Sequence, residues 1–170
     1  MKKLVLVLLL VAFIAVGAFA NDPRPDGFGI GIVGGGARGW TGGGGFGFSY
    51  GLSLHAANTY WGIFASIASN WFSVGVTGDF VTLMGGTFGD GPLGFYIDGG
   101  LYGTVFVYDT ADGSDFAFGV GARLPIGLSL NFDIIDIWLA AVPQIGVRVG
   151  GGSLSLGGGW GPEIGLRVWF

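Results

Sequence analysis

The 170-residue chain has no cysteine, which excludes disulfides, thiol catalysis and thiolate metal sites. It has one histidine, His55, so a multi-histidine metal site is excluded as well. Charge is scarce: 11% of residues are charged and 51% hydrophobic, where a soluble domain usually carries about a quarter charged residues. Lysine occurs only at Lys2 and Lys3. Beyond residue 20 the cations are therefore 7 − 2 = 5 arginines against 11 acidic residues, a balance of −6. Nucleic-acid binding requires a basic patch, and this balance excludes it. Long apolar runs are also lacking. A membrane-spanning helix needs ~20 consecutive apolar residues, and only the N-terminus comes near that.

That N-terminal run has the layout of a signal peptide: positive Lys2 and Lys3, apolar Leu4 to Val16, then the small-residue exit Gly17-Ala18-Phe19-Ala20. Cleavage is expected after Ala20, leaving one domain, 21–170. An uncleaved anchor is the weaker alternative, because the run is short and no positive cluster follows it.

What the chain has in abundance is glycine, 38 residues, with 15 phenylalanines and 6 tryptophans. Such a composition forms helices poorly, and the pattern alternates instead. Phe46, Phe48, Tyr50, Leu52 and Leu54 are separated by glycine and serine, a period-two strand with one apolar and one small face. The rhythm recurs to Phe170 and predicts eight strands, the last of them carrying Trp160, Ile164, Leu166, Val168 and Phe170. A soluble barrel would turn its second face to water and charge it with both signs. Here that face is mostly glycine, serine and alanine, as at Ala117, Gly119, Gly121, Gly127 and Ser129. The predicted fold is therefore all-β: an eight-stranded antiparallel up-and-down transmembrane β-barrel, with lipid outside and small residues inside. An even strand count puts both termini on the periplasmic side. Trp40, Trp71, Tyr108 and Trp160 are then expected near the outer rim, and Tyr60, Phe132 and Trp169 near the inner rim, where interfacial aromatics belong.

The exceptions on the small face are Asp79, Asp98, Arg123, Asp136, Arg148, Glu163 and Arg167, with Gln144 and His55 as neutral companions. Buried charges need partners. Hairpin counting pairs Asp98 with Arg123 about the turn near Gly113, and Arg148 with Glu163 about a last loop bracketed by Gly150–Gly152 and Gly157–Gly159. Asp136 and Arg167 meet only across the lumen or past a bulge in that register. Such charges fill and hold a small lumen, or line a narrow solute path.

Two motifs fail. Gly29-x-Gly31-x-x-Gly34 matches a dinucleotide fingerprint by letter, but no helix follows it. His55 with Ser53 or Ser49 and Asp79 spells a catalytic set, yet His55 falls at the inner end of a descending strand, away from external substrates.

The segment Gly119-Val120-Gly121-Ala122-Arg123-Leu124-Pro125-Ile126-Gly127-Leu128-Ser129 resembles a strand of small bacterial outer-membrane barrel proteins of unassigned function. Ile135-Asp136-Ile137 with Pro143 resembles their next-to-last strand, and Ile164-Gly165-Leu166-Arg167-Val168-Trp169-Phe170 their closing strand. The match covers about Phe116 to Phe170. It implies a compact barrel similar in architecture to OmpX or the OmpA membrane domain. In such barrels the alternating end, here Ile164, Leu166, Val168 and Phe170, is read by the barrel-assembly machinery.

The expected function is a non-catalytic integral outer-membrane protein with a structural or envelope-interaction role. It would be a monomer without cofactor, its partners being outer-membrane lipid and, during insertion, the assembly machinery. The alternatives are a narrow, porin-like solute or lipid-binding barrel and, behind it, a lipid-modifying enzyme.

Overall fold

A computed structural model of the chain describes residues 22–38, 46–69, 71–110, 113–150 and 152–170. The expected signal segment with its expected cleavage after Ala20, Trp40, and the turn residues Asn70 and Asp112 lie outside the described residues. The strands are β1 (Gly29–Arg38), β2 (Phe46–Ala56), β3 (Thr59–Ala68), β4 (Trp71–Thr87), β5 (Leu93–Thr110), β6 (Gly113–Arg123), β7 (Ile126–Phe132), β8 (Ile135–Gly150) and β9 (Ser153–Trp169).

All pairings are antiparallel. β1 to β5 pair in chain order, and β6 and β7 both lie between β5 and β8 as two halves of one stave. β9 returns to β1 and closes a ring of eight staves. The sixth predicted strand is thus broken at Leu124-Pro125. Proline has no N–H to give the ladder, and the interruption is bridged by other means: Pro125 O accepts from Asp98 N, and Leu124 N donates to Pro143 O, both at 2.9 Å.

Two of the turns at the end bearing Gly29 and Phe170, β2–β3 and β7–β8, are two residues long. Ala57 and Asn58, at φ 52° and 58°, join β2 to β3 in two residues, the left-handed pair that matches strand twist. On the opposite end Gly150 pairs with Ser153, so β8 turns directly into β9. The glycines 157–159, read from sequence as bracketing a loop, lie inside β9. A glycine run looks like a loop by composition, but a ring of this size needs residues without side chains on its inner face.

Period two then sorts the side chains. Ile32, Leu52, Ile63, Val76, Leu101, Phe118, Leu139 and Ile164, from staves all round the ring, are exposed on the outer wall. Their neighbours in sequence point into the lumen, and the buried residues collect there. Gly121 and Gly146 sit opposite each other on β6 and β8. A Cβ on either would run into the other strand's backbone, so glycine permits the close approach that coils the wall inward.

Candidate functional site: the charged lumen

The lumen is ordered in layers. At the terminal end, residues 22–25 tuck into the barrel mouth, and Arg24, 7% exposed, stands among side chains from the wall. Its guanidinium grips two carboxylates, Asp22 (Nε–Oδ1 2.8 Å, Nη2–Oδ2 2.8 Å) and Asp98 (Nη1–Oδ2 2.8 Å, Nη2–Oδ1 3.0 Å). The guanidinium carbon lies 3.8 Å from the Tyr60 ring centre and 4.0 Å from that of Tyr96. Burial alone would raise the Asp22 carboxyl, but its bonds with Arg24 and Tyr60 hold it below the ordinary carboxylate range.

Beside it, Arg167 donates to Asp136 Oδ2 at 3.2 Å and to Ser53 Oγ at 2.6 Å, and lies over Trp138 at 4.4 Å. Asp136 is fully buried. These two residues are direct cross-strand partners. The contact that hairpin counting could reach only across the lumen or past a bulge is made within one ladder, because β9 starts at Ser153.

The next layer centres on Arg123, which meets Asp79 (Nε–Oδ1 3.1 Å) and Glu163 (Nη2–Oε2 2.9 Å). Trp138 Nε1 donates to Glu163 Oε1 at 3.3 Å. Asp79, Gly100, Arg123 and Gln144 form one row across β4, β5, β6 and β8. Gly100 has no side chain, so Arg123 reaches over it to Asp79. This corrects the expected Asp98–Arg123 pair: Asp98 lies two residues down the strand from Gly100, opposite Thr82, and takes Arg24 instead. Sequence counting began at the first inward strand and so gave Asp22 and Arg24 no place. The available signal was an Asp-Pro-Arg-Pro stretch in which an arginine, rare in this chain, stands just ahead of the barrel.

The expected Arg148–Glu163 pair is likewise corrected. Glu163 faces Ala140, and Arg148 lies eight residues (148 − 140), roughly 26 Å, further up β8. Arg148 instead lies over Phe106 and Tyr108, at 5.6 and 4.2 Å.

The rim aromatics divide. Phe132 and Trp160 are exposed on the outer wall, whereas Tyr60, Trp71 and Trp169 are buried in the lumen. Each of those three adjoins an outward aromatic (Trp61, Phe72, Phe170), and alternation turns it inward. Tyr108, under Arg148, is half-buried.

Around the Arg123 layer and toward the opposite end is a cavity of about 110 Å³, lined by Ser49, Ser66, Thr77, Tyr102, Gln144 and Glu163 among others. A second space of about 340 Å³ opens at the terminal mouth around Asp22, Asp26, His55 and Asn58. Tyr60 and Asp79 line both.

The catalytic letters are not assembled. Ser53 Oγ takes Arg167, and Asp79 faces Arg123. His55 Nδ1 is 2.6 Å from Gly27 O, with its ring against Tyr60 and Trp169 at 4.4 and 4.9 Å. It ties the N-terminal segment to the wall.

Neither a protein-family model nor a curated protein matches the chain. Among solved structures it is similar to Neisserial surface protein A, with a TM-score of 0.60 and 14% identity, over 85% of this chain and 98% of that one. At that identity the likeness is one of fold. The chain has the fold of the small eight-stranded outer-membrane barrels.

Proposed function

We propose that the chain is a non-catalytic integral protein of the bacterial outer membrane, serving a structural or envelope-contact role as a monomer. The observation that carries this reading is the outer wall, apolar on every stave and matched by a lumen whose buried charges are paired with one another. Apolar surface of that extent is costly in water and stable in lipid. A closed ring leaves no strand edge unpaired in hydrocarbon. The termini lie at the periplasmic end, after removal of the segment ending at Ala20. Ile164, Leu166 and Phe170 are exposed on the closing strand, with Val168 half-buried in the same series, available to the assembly machinery. With Ser53, His55 and Asp79 each held by a different partner, a structural role fits better than serine–histidine–acid chemistry.

Fractionation of cells tests the location. The protein is expected in the outer-membrane fraction and to migrate faster on a gel when unheated than when boiled. Recovery as a soluble periplasmic protein with no heat shift would overturn the reading.

A second reading, a narrow path for small solutes, draws on one observation: the two spaces share Tyr60 and Asp79 in their linings. Planar-bilayer conductance separates the two. The structural reading expects silence from the intact chain, because Arg24 and the Arg123 layer obstruct the axis; steady conductance would favour the path.

A further inference from the structure

The N-terminal segment occupies the barrel as a ligand occupies a receptor. Pro23 and Pro25 flank Arg24; proline cannot donate to a β-ladder, and it holds itself and the preceding residue extended. The segment is accordingly held by wall side chains: Asn131 Nδ2 donates to Pro23 O at 2.7 Å, and His55 Nδ1 lies 2.6 Å from Gly27 O. The wall also has a hollow shaped for it. Gly94 lacks the Cβ that would collide with the Pro23 ring. Among the described residues around the Arg24 guanidinium, Asp98, Thr82, Tyr60 and Tyr96 belong to the barrel, and Asp22 belongs to the segment.

We propose that these four residues form a guanidinium-binding site, filled in cis by Arg24 and able to take a guanidinium-bearing ligand in trans when Arg24 is withdrawn. The chemistry is selective. Two oxygens of one carboxylate meet two nitrogens of the planar fork, and two aromatic rings lie against it at 3.8 and 4.0 Å. An ammonium is a compact, strongly hydrated charge that cannot match both features. With Arg24 gone, Asp98 loses its cation, and a buried carboxylate without one favours recruiting another. The nearest remaining arginines are engaged elsewhere, Arg167 with Asp136 and Arg123 with Asp79 and Glu163. The site is independent of whether the barrel conducts, and its test needs only folded protein in detergent.

The test uses the full chain with Arg24→Ala and reads the midpoint of the heat-induced gel shift. Methylguanidinium in roughly tenfold excess over its Kd is expected to raise the variant's midpoint by about 4 °C. Methylammonium at equal concentration should leave it unchanged. The unsubstituted chain, its site already filled, should not be raised by either. Adding Asp98→Asn to the variant should abolish the response. If Arg24→Ala fails to fold, Arg24→Lys keeps a charge in place, and methylguanidinium should displace the ammonium and raise that midpoint instead. An equal response to methylammonium, an equal response of the unsubstituted chain, or no response in either variant would overturn the proposal.

Discussion

Valine at Gly121 is expected to prevent the barrel from closing, while valine at Gly103 leaves it intact. Both glycines lie mid-strand in neighbouring staves, and both changes raise β propensity. A propensity argument alone therefore predicts that both stabilise. The structure separates them. A Cβ at Gly121 would overlap the backbone at Ile145 and Gly146, whereas at Gly103 it would meet nothing within 4 Å. Gly103 faces outward beside Val74, Val76 and Val105, where an added isopropyl group extends the apolar wall. Overpacking a tight interior usually costs about 1–3 kcal/mol. At Gly121 the obstacle is backbone, which cannot rotate aside, so the cost should exceed that range. The expected result is loss of the heat-modifiable band for Gly121→Val and its retention for Gly103→Val.

Removing the Asp136 carboxylate is expected to have the second-largest effect. Asp136→Ala leaves Arg167 buried, with Ser53 and the surrounding rings but without its anion. Breaking a buried pair from one side typically costs about 3–5 kcal/mol, whereas replacing both partners by apolar residues is often nearly neutral. The double change Asp136→Leu with Arg167→Met should therefore recover much of the stability lost in the single variant. Denaturant titration in detergent, followed by tryptophan emission, would measure both. Equal losses in the single and double variants would mean that the pair does more than neutralise itself.

The wall was legible in the sequence because its signal is local. Period two between Phe46 and Leu54, or Ile164 and Phe170, requires only that neighbours alternate. The alternation also gave the lumen its members: Asp79, Asp98, Arg123, Asp136 and Arg167 are buried there, Glu163 partly so, and Arg148 is half-buried against Phe106 and Tyr108. Partner choice was not legible, because it depends on register and on distant gaps. Reading Gly157–Gly159 as the border of a loop displaced β9 along β8 and joined Arg148 to Glu163 on paper. Nothing beside Arg123 in sequence says that Gly100, on another strand, leaves its path open to Asp79. The N-terminal segment was missed for a different reason. It has no alternation, so a search for strands passes over Arg24, although that arginine fills the lumen's terminal end.

The alternating apolar face is expected to meet lipid on every side. The chain's lack of cysteine makes a direct measurement simple. Single cysteines at Leu52, Val76, Phe118 and Ile164, all exposed on the outer wall and spread over β2, β4, β6 and β9, would each carry a nitroxide in reconstituted bilayers. Collision with oxygen, which concentrates in hydrocarbon, should dominate over collision with a water-soluble nickel complex at all four sites. Nickel-dominated relaxation at these positions would place the face in water and contradict the membrane barrel.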